Sequence, residues 1–331
     1  MDDTLAMAFR INPAKPLVWR DSDTAQIGLD GDAVVLPGLS ASEARLIDLL
    51  YRGVAEAAID EVTDLGKPRE LLERLSPALL KNHEGTKHLL SNDFVRSAFA
   101  EIIRASYLND IDGIAVLERR AAKAIAIDSI GPAGLLICLG LAASGLGSIL
   151  TEDTATISEQ DIGPLAYPRE FLGLPRLEGA KRLLSGHGVK VANSASLTPA
   201  KRRHSLSVLV CGEAIHPQRH LGLRGKPHLA AMFRASEVAV TPVLGSSPCL
   251  SCLDHWKTEN DPAWPAIASQ LIGRVDYLED AASALFVAAM VTGEVLAALD
   301  GRKLSSSGVR LDVKNRSVRE WGWSRHPNCD C

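Results

Sequence analysis

Two closely spaced cysteine pairs constrain this chain more than any other feature. Cys249-Leu250-Ser251-Cys252 is a C-x-x-C, and Cys329-Asp330-Cys331 is a C-x-C on the last three residues. A short turn can aim two sulfurs at one point roughly 2.3 Å away, and two such pairs make a closed tetrathiolate around Zn2+. A zinc ion held by Cys249, Cys252, Cys329 and Cys331 would tie residues 329–331 back to the middle of the sequence. Pro248 and Pro327 stiffen both knuckles, which suits a preformed ligand turn. The competing reading keeps the four as free structural or redox thiols. A C-x-x-C alone serves either role, and C-x-C is the less common ligand spacing.

Composition narrows the choice. At 331 residues the chain has room for one large and one small domain. Its apolar fraction of 46% is ordinary for a globular protein, and a net charge of −4 gives no reason to expect nucleic acid or an acidic membrane surface as a partner. Six cysteines in this length do not suggest a disulfide scaffold, and Met1-Asp2-Asp3 is too acidic for a signal peptide. The expectation is a cytoplasmic protein in a reducing compartment, where metal is favoured over disulfides. The uncharged stretch 129–151 is long enough for a membrane span. Its glycines and proline read better as a buried strand, turn, helix and strand. The apolar run 281–299, interrupted by Glu294, reads as a core helix.

Residues 7–36 alternate short apolar runs with turn residues such as Asn12-Pro13 and Asp30-Gly31-Asp32, which predicts a small antiparallel sheet. Ser40 or Ser42 then caps a helix through Leu46, Leu49 and Leu50. Helical periodicity returns at 54–63 and again from Pro68 through Leu71, Leu72 and Leu75. Strands followed by three short helices predict a winged-helix-like domain over residues 1–85. The module is not basic and no helix carries a row of Arg or Lys, so DNA is not its expected partner. The polar stretch 81–87 reads as a linker to a second domain over 86–331.

From about residue 113 the pattern becomes strand-helix-strand. Ala124-Ile125-Ala126-Ile127 reads as a parallel strand buried on both faces. A glycine turn, helix 132–144 and strand 148–151 follow. Helix 176–185, strands 188–192, 205–211 and 228–233, and helices near 262–272 and 279–299 complete an α/β domain. The turn is Ser129-Ile130-Gly131-Pro132-Ala133-Gly134, with Asp153 at the end of the next strand. In a nucleotide-binding unit such glycines let backbone N–H groups and a helix N-terminus approach phosphates, and the acid takes the ribose hydroxyls. Gly131, Gly134 and Asp153 are therefore candidate nucleotide-binding residues. Ser129 stands where the first glycine belongs, and Pro132 removes one backbone donor.

Gly131-x-x-Gly134, Leu141-Ala-Ala-Ser-Gly-Leu-Gly147, the strand to Asp153-Thr-Ala-Thr-Ile157 and the later C-x-x-C together resemble the ThiF/MoeB activating enzymes. Those enzymes adenylate a C-terminal carboxylate on a small protein, and many hold a structural zinc with four cysteines. Pro248-Cys-Leu-Ser-Cys-Leu253, Asp261-Pro-Ala-Trp-Pro265, Gln270-Leu271 and Arg325-His-Pro-Asn-Cys-Asp-Cys331 look like the ThiF-like proteins of azoline-forming bacteriocin biosynthesis, the cyclodehydratase or leader-peptide-binding group. The resemblance covers roughly 110–331. It implies a Rossmann-like ThiF-type domain, a winged-helix-like element that binds a precursor leader peptide, and a separate YcaO-type partner enzyme. A homodimer is compatible with it.

The departures bear on catalysis. The segment that resembles N-x-x-R-Q is Ser158-Glu-Gln-Asp-Ile-Gly-Pro164, without an arginine, and Arg169 lies further along. Lys181 is the candidate for the family's following lysine, and near Val210-Cys211-Gly212-Glu213 only Glu213 is acidic. Adenylation needs cations on the triphosphate and a carboxylate for magnesium. The reading is a degenerate site for ATP and Mg2+ in a protein that binds and presents a peptide. An active ATP-dependent adenylyltransferase is the alternative, and a zinc-stabilised regulatory protein a third.

Other residues carry lesser expectations. His216, His220 and His228, with Arg219 and Arg224, share one loop-rich stretch that reads as a solvated loop or a groove. His326 is a substitute ligand beside the second cysteine pair. Cys211 reads as packing or a nucleophile, and Cys138 as core. Trp321 and Trp323 are expected over the knuckles, and Trp264 at a helix start.

Overall fold

The computed structural model describes residues 8–55, 59, 68–80, 90–272 and 278–331. The chain divides into two compact units, Met1–Arg119 and Arg120–Cys331. The expected boundary at 85/86 and the linker 81–87 lie outside the described residues, as does most of the helix expected at 54–63.

In the first unit β1 (Ala8–Phe9) does not join the small sheet. β2 (Leu17–Trp19), β3 (Ala25–Ile27) and β4 (Val34–Leu36) form that sheet, all antiparallel. Helix α1 (Ala41–Arg52) starts at Ser40 with a reciprocal cap. The Glu43 N–H donates to Ser40 Oγ at 3.2 Å, and the Glu43 carboxylate accepts from the Ser40 N–H at 2.8 Å. β1 pairs instead with β5 (Val54–Ala55), which lies in the stretch where helical periodicity was expected. α2 (Pro68–Leu75) follows. Leu46, Ile47 and Leu50 of α1 pack with Ile11, Ile27, Leu36, Leu71 and Leu75 into one buried cluster. Helices α3 (Asn92–Ser97) and α4 (Phe99–Asn109) and the start of α5 (Gly113–Ala121) build a second cluster around Ala105, Val116 and Leu117.

The second unit is an eight-stranded sheet. β6 (Ala124–Ile127) leads to α6 (Pro132–Ala143) and β7 (Ser148–Thr151). α7 (Arg176–Leu183) then leads to β8 (Lys190–Asn193), followed by β9 (Ser207–Cys211), α8 (Pro217–Leu221), β10 (His228–Phe233) and β11 (Glu237–Val240). Helices α9 (Leu250–Asn260), α10 (Trp264–Leu271) and α11 (Ala281–Leu299) precede a hairpin of β12 (Gly308–Asp312) and β13 (Ser317–Trp321). The strand order is β13-β12-β11-β10-β9-β6-β7-β8. β10, β9, β6, β7 and β8 run parallel, and the last three strands in sequence extend the sheet antiparallel. This is a Rossmann-like α/β architecture.

The two faces differ. On one, Ile125, Ile127, Ile149, Val208, Val210 and Leu229 meet α6, α7 and α11 in the largest core cluster. α6 and α11 approach closely because Gly140 faces Thr292; a Cβ there would lie 2.8 Å from the threonine hydroxyl. The ends of this layer are tied by a buried bidentate pair. Arg120 Nε and Nη2 reach the two Asp300 oxygens at 2.9 and 2.7 Å, and Arg120 Nη1 donates to the Ser144 carbonyl at 3.1 Å. By length and composition α11 could cross a membrane, yet Ala284, Val287, Ala288, Val291 and Val295 are buried in this core. On the other face Leu209, Cys211, Ala230 and Met232 meet Ile215, Leu244 and Leu250, with Trp321 and Trp323 against them.

Candidate functional site

The four cysteines of the two knuckles meet. Cys249 caps the N-terminus of α9 and Cys252 sits in its first turn, where its N–H donates to the Cys249 carbonyl at 3.0 Å. The C-terminal segment returns past them. Sulfur separations are 3.9 Å for Cys249–Cys252, 3.7 Å for Cys249–Cys329 and 3.4 Å for Cys252–Cys331. All four sulfurs lie within 4.8 Å of one another. A tetrahedron with metal–sulfur bonds of roughly 2.3 Å has edges of about 3.8 Å. The cluster is therefore of the right size to hold a single metal ion of zinc's preference.

The surrounding groups hold this geometry. Trp323 Nε1 donates to the Cys249 carbonyl at 2.9 Å, placing that indole over the knuckles. Trp321 packs one step away in the sheet-face cluster. His326 does not stand in for a ligand. Its Nδ1 accepts from the Asn328 N–H at 3.1 Å, which leaves Nε2–H to donate to Glu259 at 2.9 Å and ties the C-x-C turn to α9. Arg224 Nη2 reaches Asp330 at 2.7 Å and lies 4.0 Å from the Cys329 sulfur, so a cation faces the cysteine cluster.

The glycine turn is the second centre. Gly134 packs against the turn itself, where a Cβ would lie 2.0 Å from the Ser129 carbonyl oxygen, so only glycine fits. That matches the role of the last glycine in a nucleotide-binding βαβ unit. Gly131 has ordinary backbone angles, and a Cβ there would find Arg176 and Glu279 at 3.5 and 3.6 Å. Those two side chains were not singled out from the sequence.

Glu279 Oε2 accepts from the Ala133 N–H at 2.8 Å, at the N-terminus of α6. This is where a phosphate would sit on the helix dipole. Burial raises the Glu279 pKa against the pull of that N–H and of Arg176. Asp153 is engaged too, accepting from the Ile130 and Ala155 N–H groups, both at 2.8 Å. Arg176, at the start of α7, reaches Asp161 at 2.7 Å and Asp153 at 3.5 Å. Burial opposes its charge, but the Asp161 and Asp153 contacts outweigh that and raise its pKa. Tyr167, fully buried, donates to the Ile130 carbonyl at 2.7 Å and closes the network from below.

Gly131, Gly134 and Asp153 are thus brought together, whereas Lys181 is exposed on α7 and no described contact joins it to Asp153. Arg169 is exposed and pairs with Glu159 at 3.0 Å. Glu213 lies 3.4 Å from Arg234. Cys211 and Cys138 are fully buried, and burial pushes both thiols up to about 12, so neither is a poised nucleophile. His216 and His228 both lie close enough to His220 to act on its charge, and His220 and His228 are buried rather than solvated. His216, His220 and His228 contact the Gln218 N–H, Asp254 and the Lys226 carbonyl respectively.

No protein-family model and no curated relative matches the sequence. Solved structures match in fold. E. coli MccB in crystals with ATP superposes with a TM-score of 0.67 at 14% identity, over 98% of this chain and 99% of that one. The microcin C7 biosynthetic enzyme MccB in complex with N-formylated MccA gives 0.65 at 14%, with the same coverage. PaaA gives 0.66 at 17%, over 93% of this chain and 98% of that one. The fold is thus the Rossmann-like ThiF type, matched over nearly the whole chain.

Proposed function

We propose that this protein binds a precursor or leader peptide and presents it to a partner enzyme, without adenylating it. The fold it shares with MccB, which was crystallised with peptide and with ATP, is compatible with either binding or adenylation. The observation that carries the choice is Glu279 on the Ala133 N–H. The position an ATP phosphate would need holds an internal carboxylate, and the ribose acid Asp153 is committed to the turn's own backbone. Two carboxylates around a phosphate position repel a triphosphate, and Arg176 is spent on Asp161 and Asp153. The missing arginine before Pro164 points the same way.

In this reading one zinc ion, held by Cys249, Cys252, Cys329 and Cys331, is structural, because four protein ligands leave no open position. The winged-helix-like N-terminal module takes the leader. Its three-stranded sheet offers the edge strands β2 and β4 for main-chain pairing, which supplies affinity. The modifying chemistry belongs to the partner, of YcaO type by the sequence resemblance. The alternative, an active adenylyltransferase, keeps Gly131, Gly134, Asp153 and Lys181 as its ATP residues.

The test is fluorescence polarisation with the full-length protein and labelled leader peptides encoded beside its gene. Affinity of roughly micromolar order, near −8 kcal/mol, is expected, with only a modest loss on raising salt. Indifference to every such peptide, together with duplex DNA binding on a steep salt slope, would replace presentation with a regulatory role.

A further inference from the structure

A cavity of about 680 Å³ opens beside the carboxyl ends of β6 and β7, its lining reaching Asp128 and Glu152, the neighbours of the glycine turn and of Asp153. The chain leaves β6 for β7 on one side and returns to β9 on the other. The cavity therefore lies at the sheet's topological switch point, where α/β sheets receive ligands. Its apolar floor is Ala126 and Leu150 with Leu209 and Leu223.

The rim is charged and unbalanced. Asp128 and Glu152 are its carboxylates, and both are engaged. Asp128 accepts from the Val210 N–H at 2.9 Å and pairs with Arg219, while Glu152 accepts from the Ser194 hydroxyl at 2.7 Å. Arg202 and Lys226 face only neutral oxygens. Arg202 donates to the Leu197 and Ala195 carbonyls, both at 2.8 Å, and Lys226 to the Gly222 carbonyl at 2.9 Å. Neither cation forms an ion pair among the described residues, the cavity's carboxylates being held by Arg219, the Val210 N–H and the Ser194 hydroxyl. His204, with Nδ1 2.9 Å from the Arg202 carbonyl and Nε2 2.9 Å from Ser207 Oγ, braces the same loop.

We propose that this cavity receives an acidic side chain of the bound peptide, its carboxylate between Arg202 and Lys226 and its flanking residues on the apolar floor. The inference rests on the peptide-binding reading and names the class of segment bound. A guanidinium fork matches a carboxylate in two parallel hydrogen bonds, and a lysine adds a point charge.

The experiment uses the full-length protein and two labelled pentapeptides with a central glutamate or glutamine, followed by fluorescence polarisation. The glutamate peptide should bind about ten-fold more tightly than its twin, an advantage that fades with salt. Lys226→Glu, which leaves the Arg202 loop bonds intact, should abolish that preference, as should Arg202→Glu. MgATP should not displace the peptide. Equal binding of the twins, a preference untouched by Lys226→Glu, or no binding of the glutamate peptide at millimolar concentration overturns the proposal. The leader-peptide titration is scored separately. Leader binding without glutamate preference removes this cavity and leaves presentation standing, while glutamate preference without leader binding supports the cavity alone.

Discussion

Single side chains explain why the cysteines could be read in advance and their neighbours could not. Short-range spacing brings Cys249 to Cys252 and Cys329 to Cys331, so each half of the centre was legible. That the halves meet depends on a return across 80 residues, from Cys249 to Cys329. Zinc should bind at one equivalent, and Cys331→Ser should lower both metal content and thermal stability, because the metal stabilises only the folded state. Metal analysis with and without the substitution checks this. A metal-free protein that unfolds at the same temperature would contradict it. Lys257 makes a second prediction. Its Nζ lies 4.1 Å from the Trp264 ring centre and donates to the Glu213 carbonyl. Burial first, then Arg234, lowers its pKa to about 8, against the pull of Asp254 and Glu213. A lysine depressed on folding binds fewer protons folded than unfolded between pH 8 and its ordinary value. Its destabilising effect is full below pH 8 and fades as pH rises through that window. Wild type should therefore gain stability relative to Lys257→Met from pH 8 to 10 in thermal unfolding. A constant difference would show that Lys257 does not titrate there.

At the scale of elements, the parallel half of the sheet followed from its pattern. Ala124–Ile127 is apolar throughout because both faces are covered, and the glycine turn announced α6. The antiparallel hairpin β12–β13 was not anticipated. Its strands carry Arg310, Arg319 and Glu320, whose charges mask the alternation until Glu237 and Asp312 pair with the arginines. α9 was missed because its start is the C-x-x-C itself. The filled end of α6 was hidden for a different reason, since Glu279 lies 146 residues from Ala133. Removing the carboxylate leaves that helix end without its anion. Glu279→Ala should lose about 1 kcal/mol of stability. Inorganic phosphate should restore thermal stability to the variant more than it stabilises wild type. Equal phosphate effects on both proteins would mean the position does not receive anions.

The molecule as a whole combines a ThiF-type sheet, a four-cysteine cluster and a glycine turn whose helix end meets Glu279. In the proposed reading, Glu279 on the Ala133 N–H stands against adenylation. Ser129 and the arginine missing before Pro164 are the sequence features on which the same proposal rests. The sequence could not reveal that Arg176, rather than Lys181, would face Asp153 from α7, because the helix register that turns one inward and leaves the other exposed is set by packing. Pyrophosphate exchange tests the central claim most directly. Full-length protein is incubated with MgATP, labelled pyrophosphate and a precursor peptide that it binds. No exchange above background is expected, with peptide affinity unchanged by MgATP. Robust exchange that disappears in Asp153→Ala would contradict the account and make this protein an adenylyltransferase.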